Sequence, residues 1–128
     1  MIKTSGVDHI TLTVKDLKKS KEFYNKVCGM KFIMDEKDSA GLSDGTFSLW
    51  LSTCRDKNSQ VQNFNRNNTG LDHWAFKVTS MKDLKEIEEL LKNMKIPLED
   101  GGITDDDFGD KAIFTEDPDG MKVEFHLR

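Results

Sequence analysis

The sequence predicts an α+β chain: two tandem βαβββ modules forming a curved mixed sheet, a half-barrel, with helices on its outer face. Three observations carry that expectation. Gly70-Leu71-Asp72-His73-Trp74-Ala75-Phe76-Lys77-Val78 repeats Gly6-Val7-Asp8-His9-Ile10-Thr11-Leu12-Thr13-Val14 at a spacing of 64 residues. The match continues in register, with Lys18 facing Lys82, Glu22 facing Glu86, Val27 facing Leu91 and Met30 facing Met94, as it does when one structural unit is used twice. In each copy an alternating strand pattern gives way to a helical stripe and then to further short strands.

The first module opens with a strand over Val7 to Val14. Ile10, Leu12 and Val14 lie on one face, and His9, Thr11 and Thr13 on the other. Asp16 is an N-cap for a helix reaching Val27, whose stripe is Leu17, Ser20, Phe23, Tyr24 and Val27. Gly29 suits its stop. Short strands follow at Lys31 to Met34, Ala40 to Leu42 and Thr46 to Ser52, with Ser43-Asp44-Gly45 as the turn between the last two. In the last strand Phe47, Leu49 and Leu51 face one way, Ser48, Trp50 and Ser52 the other. Cys54 to Thr69 is polar and reads as a linker, with a short helical turn around Val61 to Phe64.

The second module repeats this order. Trp74, Phe76 and Val78 oppose His73, Ala75 and Lys77. Ser80 caps a helix to Asn93, with Asp83 three residues on and a stripe of Met81, Leu84, Ile87, Leu91 and Met94. A short strand is expected at Ile96 to Leu98 and a solvated loop at Gly101 to Asp110, acidic at Asp105-Asp106-Asp107; a sharper reading makes that loop a lid. A strand at Lys111 to Thr115 and a turn at Asp117-Pro118-Asp119-Gly120 lead to the closing strand, Lys122 to Leu127. The expected organisation is one domain over residues 1–128, with module 1 at about 5–54, a linker at about 55–69 and module 2 at about 70–128.

Composition narrows the function. The chain is 36% hydrophobic and 33% charged, and no apolar run approaches the roughly 20 residues of a membrane span. The net charge of −4, with no basic patch, argues against a nucleic-acid partner. Cys28 and Cys54 lack metal or redox spacing, and Met1 to Thr4 shows no signal peptide, so a cytoplasmic protein with reduced thiols is expected.

Strand parity puts His9, His73 and Glu124 on the polar faces of their strands. Two histidines at equivalent repeat positions can be inherited structure; a carboxylate on the same kind of face makes a metal site the stronger reading. Two imidazoles and one carboxylate suit Zn, Mn, Ni, Fe or Co rather than Ca or Mg. Three protein ligands leave coordination positions open, as catalytic sites do.

These motifs resemble the vicinal oxygen chelate superfamily, which includes glyoxalase I, the fosfomycin-resistance thiol transferases, methylmalonyl-CoA epimerase, type I extradiol dioxygenases and bleomycin-binding proteins. The carrying residues are Asp8-His9 with Leu17, Ser20, Phe23-Tyr24 and Gly29-Met30, then Asp72-His73, then Asp117-Pro118-Asp119-Gly120 with Lys122 and Glu124. The resemblance implies metal-ligand positions at His9, Trp50, His73 and Glu124. Trp50 stands where glyoxalase I carries a fourth ligand, and an indole does not bind metal. The remaining His, His, Glu triplet is the pattern of the thiol transferases and the dioxygenases.

The implied function is a divalent-metal-dependent enzyme of glyoxalase type acting on a small oxygenated substrate, as lyase, isomerase or thiol transferase. Glu124 doubles as a catalytic base. Thr11, Trp50, Lys77 and His126 are candidate substrate contacts; the plainer readings are an ordinary packed aromatic for Trp50 and, for His126, a surface residue or one that supports a metal ligand from behind. The alternative function is a drug-sequestering protein of bleomycin-resistance type; ring-cleaving dioxygenation is a weaker third. Fosfomycin is expected to be a poor substrate, because the chain ends at Arg128 without that group's C-terminal tail and the 101–110 loop lacks its basic, serine-rich pattern. Relatives of this length imply a homodimer.

Overall fold

The computed structural model describes residues 2–56, 58 and 63–128. Its contacts fall into two compact units, Met1–Gln62 and Asn63–Arg128. Each is a βαβββ module with its own four-stranded mixed sheet, and neither sheet closes into a barrel. Of the expected helical turn around Val61 to Phe64, Val61 and Gln62 lie outside the described residues, and Asn63 and Phe64 are not helical. No helix among the described residues is long and apolar enough to cross a membrane.

The first unit runs β1 (His9–Val14), α1 (Leu17–Lys26), β2 (Lys31–Asp35), β3 (Ser39–Ser43) and β4 (Ser48–Thr53), with sheet order β1-β4-β3-β2. β1 and β4 are parallel; the other pairs are antiparallel. The Asp16 carboxylate accepts from the Lys19 N–H at 3.1 Å and starts α1. The expected stripe Leu17, Ser20, Phe23, Tyr24 and Val27 is buried in full. At the far end Gly29 takes φ 69°, and the Met30 N–H reaches the Tyr24 carbonyl at 3.1 Å. Leu49 and Leu51 of β4 are wholly buried, each burial contributing about 1.5–3 kcal/mol. The turn before β4 is held by Asp44, whose carboxylate accepts from the backbone N–H of Thr46 and Phe47.

The second unit runs β5 (His73–Val78), α2 (Met81–Asn93), β6 (Thr104–Asp105), β7 (Lys111–Glu116) and β8 (Lys122–Leu127), with the equivalent order β5-β8-β7-β6. Ser80 and Asp83 cap α2 reciprocally: the Asp83 N–H donates to the Ser80 hydroxyl at 3.1 Å, and that hydroxyl donates to the Asp83 carboxylate at 2.6 Å. Leu84 and Leu91 are its fully buried residues. The turn before β8 is closed by Asp117, which accepts from the N–H groups of Asp119 and Met121.

The second strand of this module differs from expectation. Ile96 to Leu98 is not a strand; Leu98 forms a single bridge to Thr115, and a 3-10 turn at Glu99–Gly101 follows. Pairing resumes only at β6, inside the segment read as a loop. Extra residues between the two contacts bulge out of the ladder, a device periodicity does not reveal. The segment is anchored by Glu88 of α2, whose carboxylate accepts from the Ile103 N–H at 2.9 Å. That bond, with Lys92 beside it, holds the Glu88 carboxyl below its usual 4.5 despite partial burial.

Candidate functional site

In the second unit the polar face of β5 and β8 carries His73, Lys77, Glu124 and His126. The parallel register sets Ala75 opposite Glu124 and Lys77 opposite His126. His73 Nε2 lies 3.2 Å from Glu124 Oε2. The other ring nitrogen, Nδ1, lies 2.7 Å from the Asp72 carboxylate, which Arg66 also binds at 2.9 Å. The hydrogen bond from His73, followed by that from Arg66, holds the Asp72 carboxyl below its ordinary range. An ionised Asp72 accepts a proton-bearing Nδ1, so Nε2 is the nitrogen turned toward Glu124. Edge-on contact with Phe114 at 6.3 Å holds the ring from one side. Glu124 itself is 7% exposed. These two sequence-predicted residues are therefore brought together.

The first unit contains the same pairing of Asp with His. His9 Nδ1 lies 2.7 Å from the Asp8 carboxylate. On the same face, the register sets Thr11 beside Trp50. The Trp50 ring lies across Gly41 of β3: a Cβ there would come 2.9 Å from Trp50 Cζ3 and 3.1 Å from the Ile33 side chain. Only a residue without a side chain lets the indole lie flat on the sheet. Thr11 and Lys77 are exposed.

A cavity of about 300 Å³ opens in the second unit, within the size range of small-molecule sites. Arg66, His73, Asp106, Asp107, Phe114 and Glu124 are among its lining residues. Acidic groups dominate the wall, and its one arginine is engaged by Asp72.

Two expectations are corrected here. His126 is not a surface residue: its side chain is 12% exposed. The acidic run is not simply solvated either, because the Asp106 side chain is 8% exposed, with its Oδ2 3.1 Å from His126 Nε2. Burial raises the Asp106 carboxyl, but bonds from the Asp110 and Phe108 N–H groups outweigh this and keep it below its usual range. Lys122 is closed over by Glu99 and Glu116, which raise it. The segment from Glu99 to Asp110 thus roofs the polar face of β8. Sequence reasoning missed Asp106 as a site residue; the only available signal was its place in an acidic run, which most often marks a solvated loop.

Residues 6–125 match the family model described as Glyoxalase/Bleomycin resistance protein/Dioxygenase superfamily. The chain is 32% identical over 122 residues to the metallothiol transferase FosB of Staphylococcus haemolyticus, covering 94% of this chain and 82% of that one. Among solved structures, a glyoxylase/bleomycin resistance protein/dioxygenase domain from Frankia sp. EAN1pec superposes with TM-score 0.80 at 26% identity, covering 98% of each chain. The fosfomycin resistance protein FosX of Listeria monocytogenes shares the fold, with TM-score 0.75 at 22% identity over 98% of this chain and 95% of that one. These matches agree with reading the chain as an enzyme of glyoxalase type. With the model match spanning nearly its whole length, the chain belongs to the Glyoxalase/Bleomycin resistance protein/Dioxygenase superfamily.

Proposed function

We propose that the chain is a divalent-metal-dependent transferase that adds a thiol to a small oxygenated organic electrophile, with His9, His73 and Glu124 holding the metal. The observation that carries this is the Asp72–His73–Glu124 relay, at 2.7 and 3.2 Å. A carboxylate that fixes one imidazole nitrogen and frees the other is the usual support of a metal-binding histidine. The Asp8–His9 pair repeats it at 2.7 Å, which supports His9 as the third ligand. The donor set of two imidazoles and one carboxylate fits Zn, Mn, Ni, Fe or Co.

When bound, such an ion supplies Lewis acidity toward oxygen atoms of the substrate. Asp72 and Asp8 orient the histidines, and Glu124 is the group we assign to accept the thiol proton. Phe114 packs edge-on beside His73. Trp50, lying flat on its sheet, is a fitting wall for the carbon skeleton, with Thr11 as a polar contact beside it. The FosB relative is named a metallothiol transferase, which favours thiol transfer over lyase chemistry. The cavity's acidic lining disfavours a strongly anionic substrate, fosfomycin included. A homodimer in the cytoplasm completes the reading; a monomer in sedimentation at micromolar concentration would count against the dimer.

The test compares turnover of a neutral epoxide plus thiol, fosfomycin plus thiol, and a hemithioacetal, with Mn, Ni and Zn each supplied. Thiol adducts of the neutral epoxide are expected. Turnover of the hemithioacetal alone would make the chain a lyase, and tight metal-free drug binding without turnover would make it a sequestering protein.

A further inference from the structure

Glu124 and His126 stand two residues apart on β8 and so project from the same face of the strand. The roofing segment brings Asp106 onto them. One ligand atom from each of Asp106, Glu124 and His126 lies within 4.8 Å of the others. Asp106 and Glu124 are more than nine-tenths buried at their side chains. Asp106 has one oxygen, Oδ1, committed to the Phe108 and Asp110 N–H groups. The other, Oδ2, is turned to the histidine.

The nitrogen of His126 is the informative atom. Nε2 is closed off from solvent and makes no hydrogen bond, although carboxylate oxygens of Asp106 and Asp110 lie 3.1 and 3.4 Å away. Both are ion-pair distances, and neither contact is a hydrogen bond. A buried polar atom left unsatisfied in this way calls for a partner. A cation held between the His126 imidazole and the Asp106 and Glu124 carboxylates gives that nitrogen a partner, and two negative charges neutralise a dication.

We propose that Asp106, Glu124 and His126 form a second divalent-cation site, distinct from the His9 and His73 ligands and sharing Glu124 with them. The sharing rests on the functional reading above; the Asp106–His126 half does not. One imidazole and two carboxylates suit Mn, Fe or Zn, and a common carboxylate would set the two ions at the spacing of two-metal sites, roughly 3.5–4 Å.

The experiment is manganese titration of chelator-stripped full-length protein, read by equilibrium dialysis with elemental analysis and by electron paramagnetic resonance. Two ions per chain and an exchange-coupled manganese spectrum are expected. Asp106→Asn and His126→Gln should each remove one ion and abolish the coupling, with circular dichroism verifying the fold of both. Glu124→Gln should weaken both sites. His73→Ala should leave the Asp106–His126 ion bound. One ion per chain, unchanged in both Asp106→Asn and His126→Gln, would overturn the second site while leaving the first reading intact. Occupancy lost in Asp106→Asn but unaffected by His73→Ala would do the reverse.

Discussion

Glu124 on β8 and His73 on β5 meet at 3.2 Å although 51 residues separate them, and His73 is held in that orientation by Asp72 from behind. The pair joins a buried carboxylate to an imidazole whose free nitrogen is already selected.

Metal affinity should therefore fall in two steps. Asp72→Ala keeps every proposed ligand and removes only the orienting bond, so a loss of about 10–100-fold is expected. His73→Ala, His9→Ala and Glu124→Gln remove a ligand each and should lose more than that. Competition titration against a chromophoric chelator reads both. Full occupancy in the His9→Ala protein would count against His9 as a ligand.

Gly41→Ala should disturb Trp50. The new methyl would stand 2.9 Å from the indole and 3.1 Å from Ile33, so the ring must tilt off the sheet. Overpacking of this kind costs about 1–3 kcal/mol. Thermal melts give the stability change, and tryptophan fluorescence reports the tilt. A higher KM with kcat little altered would support Trp50 as a substrate wall.

Gly102→Ala should loosen the roof over β8. Gly102 has φ 146°, and a Cβ there would lie 1.8 Å from Glu88 Oε1. The carboxylate must then release the Ile103 N–H, so backbone strain and a lost bond add, at about 1–3 kcal/mol. Faster amide exchange across 103–110 than in the parent would identify the roof as the loosened part.

The same anchor should show a pH signature. The Glu88 carboxyl is lowered in the folded chain by the Ile103 N–H and by Lys92, so its contribution is present above the unfolded value near 4.5. It is lost as pH falls through the lower folded value. Glu88→Gln should accordingly melt below the parent at pH 7, with the difference shrinking as pH drops below 4.5. A constant difference down to pH 3 would show that charge plays no part.

Much of this was legible because it is local or repeated. The caps at Asp16 and Ser80 are spacings of three residues, and both helices follow from them and from a 3.6-residue stripe. Strand parity assigned Glu124 and His73 to polar faces, and both are there. Parity says which face a side chain takes but not what covers that face. Lys122, Glu124 and His126 share the polar face of β8, and the 99–110 segment folds over them, bringing Glu99 to Lys122 and Asp106 to His126.

By itself the sequence determined the doubled module, its two helices, the strand faces and the family resemblance, because periodicity and capping act within a few residues and a repeat carries them forward intact. Only the tertiary structure decided that β6 forms at Thr104–Asp105, that Trp50 lies flat over Gly41, and that Asp106 is an inward-facing residue. Each depends on contacts between residues far apart in the chain, where burial and the satisfaction of polar groups choose among conformations that local sequence leaves equally open.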